Sequence, residues 1–82
     1  VRERLPGTPV MQIRVTGVDP EGRTWRTAIE STEVYRSTKR TRLVERRTGM
    51  LVALALQRFV RKHPRAVVTE VRNIQYLRED ER

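Results

Sequence analysis

The densest chemistry in the chain lies between Arg36 and Arg47, in the string RSTKRTRLVERR. Six cations, Arg36, Lys39, Arg40, Arg42, Arg46 and Arg47, stand there against Glu45 alone, a net +5 in twelve residues. Ser37, Thr38 and Thr41 add hydroxyl donors suited to phosphate oxygens. Closely spaced cations displace the counterions of a nucleic-acid backbone, and the Arg fork bonds phosphates or guanine edges in pairs. A second basic group, Arg58, Arg61, Lys62, His63 and Arg65, follows about three turns further on. Within it, Arg58, Arg61 and Lys62 are expected to extend the same surface. The plain alternative is a solvated basic face, or one that meets an acidic protein.

Single-strand binders add exposed aromatic rings on which bases stack. Trp25, flanked by Arg23 and Arg26, and Tyr35, beside Arg36, are the candidates for stacking. The competing reading for Trp25 is core cover on the helix-facing side of a sheet. No RNA-recognition aromatic motif and no zinc-finger spacing occurs.

Catalytic chemistry finds little to work with. The chain has no cysteine and one histidine, His63, so neither a thiolate nucleophile nor a histidine metal cluster is available. Asp19, Glu30, Glu33 and Glu70 are spaced as solvated strand and turn carboxylates rather than as a two-metal site. The four glycines are scattered, with no phosphate loop among them. The expectation is a protein that is not an enzyme, with no catalytic residues, metal or cofactor.

The whole chain carries 18 cations against 10 carboxylates in 82 residues, a net charge of +8. Sixteen of the cations are Arg, the side chain that forks onto phosphate, and only Lys39 and Lys62 are point charges. A polyanion, DNA or RNA, is the expected partner. The opening VRERLPGTP has no apolar h-region and does not begin with Met, so a trimmed or excised piece without a signal peptide is expected. With no cysteine for disulfides, a reducing, cytoplasmic location is expected. The longest apolar run is too short and too charge-flanked for a bilayer, so no membrane partner is expected.

The elements that must carry these residues follow from periodicity. Val10 to Val18 alternates, with Met11, Ile13 and Val15 on one side and Gln12, Arg14 and Thr16 on the other, as a half-buried strand does. Asp19-Pro20-Glu21-Gly22 has the order of a type I turn. Thr24 to Glu30 alternates again, with Trp25, Thr27 and Ile29 together, so a hairpin is expected. Over about 20 residues, the string DPEGRTWR followed by a helix is similar to the small sheet-plus-helix domains that bind arm sites in phage-type integrases. That resemblance rests on a turn and an aromatic and assigns no residue a role.

Met50 to Leu56 is an unbroken apolar run that Phe59 and Val60 continue, rich in helix formers and stopped by Pro64. It predicts a helix over about 49–62, with an earlier entry near Thr41 as the alternative, and a basic loop over 31–48 leading into it. Gln57, Arg58 and Arg61 are its narrow polar sector, so a single sheet cannot cover the rest. Either loops and a curled sheet supply the second cover, or a partner subunit does. Arg65 to Leu77 is a Val-, Ile- and Thr-rich strand whose parity changes, placing a bulge near Asn73.

The expected architecture is a small single α+β domain, β-hairpin–helix–β-strand, whose three-stranded and mostly antiparallel sheet packs on the central helix. Residues 10–77 form it, with a flexible N-terminal arm over 1–9 and a charged C-terminal tail over 78–82. The expected function is a basic nucleic-acid-binding module. The alternative is an oligomerisation or assembly module of a larger complex or particle, a homo-oligomer with the dimer as its simplest form.

Overall fold

In the computed structural model, which describes residues 7–32 and 41–78, the alternation of the first strand becomes two unlike faces. Strand β1 spans Thr8–Val18, β2 Thr24–Ser31, helix α1 Thr41–Lys62 and β3 Val67–Arg78. The sheet order is β2-β1-β3, with both pairs antiparallel. β1 is therefore central, and its Met11, Ile13 and Val15 are buried under the helix while Gln12, Arg14 and Thr16 are half-buried on the open face.

The hairpin forms as the turn residues dictate. Gly22 N donates to Asp19 O at 3.0 Å, closing the type I turn, and Gly22 follows in the left-handed region at φ +82°. The Asp19 carboxylate accepts from the Glu21 and Arg23 backbone N–H groups through Oδ1, at 3.0 and 2.9 Å.

The helix runs from Thr41, so the second half of the basic segment expected as loop is helical. Residues 33–40, with Tyr35, Arg36, Lys39 and Arg40, lie outside the described residues, as do the arm over 1–6 and the tail over 79–82. Ala55 and Phe59 are buried against Met11, Ile13, Val15 and Ile29, with Leu51, Val52 and Leu56 partly so. The helix sits chiefly on β1 and β2. Met50, Leu54 and Val60 stay exposed, so the described residues cover one side of the helix and supply no second cover.

The parity change in β3 falls at Thr69, not near Asn73. Thr16 pairs with Glu70 and Gly17 with Val68, leaving Thr69 as the extra residue, its hydroxyl donating to Thr16 O at 3.3 Å. The bulge puts Val68 and Val71 on the helix side, and Glu70, Arg72, Ile74 and Tyr76 on the open side. Beside the bulge, Gly17 has no room above it: a Cβ would stand 2.5 Å from Phe59 Cζ and 2.7 Å from Val67 O. β1 and β3 also reach further than alternation indicated, with Thr8 and Pro9 paired to Arg78 and Leu77.

Candidate nucleic-acid interface

Helical spacing decides which cations of α1 meet. At about 100° per residue, Arg47, Arg58 and Arg61 fall within roughly 60° of one another, on one flank of the helix. That flank faces β2. Between them runs a groove of about 500 Å³ whose walls carry Arg58, Arg61 and Lys62 from the helix and Arg26 from the strand, with Ile29 at its base. Among the described residues, no carboxylate lines it.

Arg58, Arg61 and Lys62 are exposed and make no ion pair with another described residue. Arg61 and Lys62 also occupy the last turn, where a positive charge complements the helix dipole. Like charges gather here without a neutralising partner, and a dianionic or polyanionic ligand would relieve their repulsion.

Arg47 shares the flank of Arg58 and Arg61 but lies about 16 Å earlier along the helix, short of the groove's lining. Arg46 is exposed but projects roughly 100° away from Arg47, off the groove. Arg42 lies in the first turn of the helix, beyond the groove's lining, and its side chain is outside the described residues. Two members of the second basic group are occupied with the fold itself. Arg65 pairs with Glu21 at 3.3 Å, linking the turn before β3 to the hairpin turn. His63 closes the helix by donating its N–H to Phe59 O at 2.8 Å and stacks its ring on Trp25, centroids 4.5 Å apart.

Trp25 therefore sits on the helix-facing side, half-exposed, with one ring face against His63. Its Nε1–H donates to Asp19 Oδ2 at 2.8 Å. That bond is the main reason the Asp19 carboxyl lies below its ordinary value; the backbone N–H groups of Arg23 and Glu21 add to it against slight desolvation. One face of the indole is thus covered by His63, while 36% of the residue stays exposed.

Arg26 is the groove residue that the sequence did not single out for binding. Its parity places it on the open face, opposite Thr16, but β2 is an edge strand whose residues Arg26 to Ile29 all border the groove. A second group, on the open face, also went unmarked. Arg14 stands directly opposite Arg72, and a hydrogen-bond chain crosses all three strands beside them. Arg14 donates to Gln12 Oε1 at 3.0 Å, Gln12 Nε2 donates to Glu30 Oε1 at 3.1 Å, and Tyr76 Oη–H donates to the same oxygen at 2.5 Å. The bond to Glu30 is the chief cause, ahead of desolvation and the carboxylate's charge, that raises the Tyr76 phenol above its ordinary value. The signal was available in the parity of Gln12, Arg14 and Glu30, but Tyr76 joins them only once β3 is known to flank β1.

No family model, curated protein or solved structure matches this chain. Among the described residues, no helix is long and apolar enough to cross a membrane, and no three His, Asp or Glu side chains gather as a metal site.

Proposed function

We propose that the chain is a nucleic-acid-binding module that holds the phosphate backbone along the groove between β2 and α1. The observation that carries this reading is the meeting of Arg26, Arg58, Arg61 and Lys62 on one groove with no acid among the described residues of its lining. The guanidinium groups fork onto phosphate oxygens, Lys62 adds a point charge, and Arg47 continues the row along the helix. Arg36, Lys39, Arg40 and Arg42 precede this row in the chain and would lengthen the contact. The contacts are to backbone rather than to base edges, so affinity follows charge and salt before sequence. The cysteine-free chain suits the reducing cytoplasm, where such a module would work.

The test is a fluorescence-anisotropy titration against duplex DNA, single-stranded DNA and RNA at several salt concentrations. Binding should weaken steeply with salt, and the triple variant R58A/R61A/K62A should flatten the log–log slope by about 3. Absence of binding to all three ligands at low salt overturns the reading.

A second reading, an assembly module, is supported by the exposed apolar side chains Met50, Leu54 and Val60 on the helix and Val67, Val71 and Leu77 on β3. It is compatible with the first, since many nucleic-acid binders act as dimers.

A further inference from the structure

We infer that β3 is a self-pairing edge, and that two copies of this chain join through it, antiparallel, into one six-stranded sheet centred on Ile74. The inference is independent of the nucleic-acid reading, because β3 and the cationic groove occupy opposite edges of the sheet.

β3 is an edge among the described residues, and at 12 residues it is the longest strand. A long edge with alternate N–H and C=O groups turned outward is a template for another strand unless it is short, capped by proline or covered. β3 is long and holds no proline, and among the described residues nothing covers its outer edge; its protections are the bulge and the charges of Glu70, Arg72 and Arg78. The bulge at Thr69 interrupts only its first residues, and the stretch 70–78 is regular. It is also exposed on both faces, with Val71 at 40% and Leu77 at 68% on the side where the helix would have to cover them.

The side-chain order then selects the partner and the register. Two identical antiparallel strands are related by a two-fold axis through one residue, so each register is named by the residue that meets itself. Centring on Ile74 sets Glu70 opposite Arg78 of the second copy, and Arg72 opposite Tyr76. It also sets Val71 opposite Leu77 and Asn73 opposite Gln75, each pair occurring twice. The Glu70–Arg78 pairs carry opposite charges, adding to the ion pair at 3.5 Å that Glu70 makes with Arg72 of its own chain; the Val71–Leu77 pairs bury apolar surface on the helix side, and Ile74 meets Ile74 on the open side. The neighbouring registers are worse. Centring on Arg72 sets Arg72 against itself, and centring on Asn73 sets Val71 against Gln75. Centring on Val71 brings the bulged Thr69 into the ladder. A slip by one residue of centre thus trades complementary pairs for mismatched ones, which is how a register is specified.

The native chain has no cysteine, so single cysteines report the register cleanly. Cross-strand partners have Cα atoms about 4.5–5.5 Å apart in either type of antiparallel pair, inside the range a disulfide spans. Under mild oxidation Ile74→Cys should cross-link into a covalent dimer. Val71→Cys should not, because the two Val71 positions lie six residues out of register, roughly 20 Å apart. Light scattering should give the mass of two chains. Glu70→Arg should weaken the dimer about tenfold, and the double variant E70R/R78E should restore it. A chain that stays monomeric at about 100 μM, well above the dissociation constant of a specific dimer, overturns the inference. So does a dimer in which I74C fails to cross-link, or in which V71C cross-links as fast.

Discussion

The Trp25 indole lies against the His63 imidazole with centroids 4.5 Å apart and planes 22° apart, joining the start of β2 to the residue that closes α1. Phe59 completes the group, its ring 5.2 Å from His63. His63→Ala should cost about 1 kcal/mol, the worth of one aromatic pair beyond its buried area. Because Trp25 is the sole tryptophan, its emission reports the change directly. The expected outcome is a red shift in the folded variant and a lower urea midpoint at unchanged slope.

Gly17 predicts a larger loss. A Cβ there would meet the Phe59 ring and the Val67 carbonyl at under 3 Å, and the carbonyl belongs to backbone already fixed in the sheet. Gly17→Ala should destabilise by about 1–3 kcal/mol through overpacking. Gly49, where a Cβ meets nothing within 4 Å, is the control: Gly49→Ala should stabilise the helix by up to about 1 kcal/mol. Thermal unfolding of the two variants, shifting in opposite directions, checks both.

Phe59 and Leu54 separate two roles that the apolar run alone leaves merged. Phe59 is fully buried and Leu54 is 42% exposed. Phe59→Ala should cost about 3–5 kcal/mol. Leu54→Gln should change stability by under about 1 kcal/mol, since the side chain is already partly in water. Chemical denaturation followed by circular dichroism gives both numbers.

The Asp19 carboxyl sits below its ordinary value of 3.8, held there by the Trp25 indole N–H and by backbone donors. A depressed folded-state value stabilises the fold above the unfolded value, and the contribution is lost as pH falls through the folded one. Wild type and Asp19→Ala should therefore differ in urea midpoint at pH 7 and converge as pH falls below 3.8. A difference that persists unchanged into that acid range would assign the stabilisation to packing.

Tyr76 runs the other way. Its phenol is raised above the ordinary 10.0, chiefly by the hydrogen bond to Glu30. The bond contributes fully below the unfolded value and is lost as pH rises through the folded one. Ultraviolet titration should show a tyrosine step above 10.0 that is absent in Tyr76→Phe and moves towards 10.0 in Glu30→Gln.

The sequence by itself determined the elements and their local ends, because those depend on neighbours a few residues away. Alternation around Asp19-Pro20-Glu21-Gly22 made the hairpin, and the apolar run before Pro64 made the helix. Its start at Thr41 was less legible, since Thr41 to Thr48 has only Leu43 and Val44 to mark a period. The charge of the chain, and the shared flank of Arg58 and Arg61, were equally local. What only the tertiary structure decided is which surfaces meet. β3 lies beside β1 rather than β2, so Arg14 faces Arg72 and Tyr76 reaches Glu30 over the central strand. The helix settles over β1 and β2, which brings Arg26 to Arg58 and leaves β3 bare on its helix side. The bulge belongs to the same class: alternation showed that β3 changes face, but its place at Thr69 appears only in the pairing of β3 with β1, where Thr16 meets Glu70 and Gly17 meets Val68. Periodicity says which face a side chain takes, whereas the element it faces depends on contacts between residues far apart in sequence.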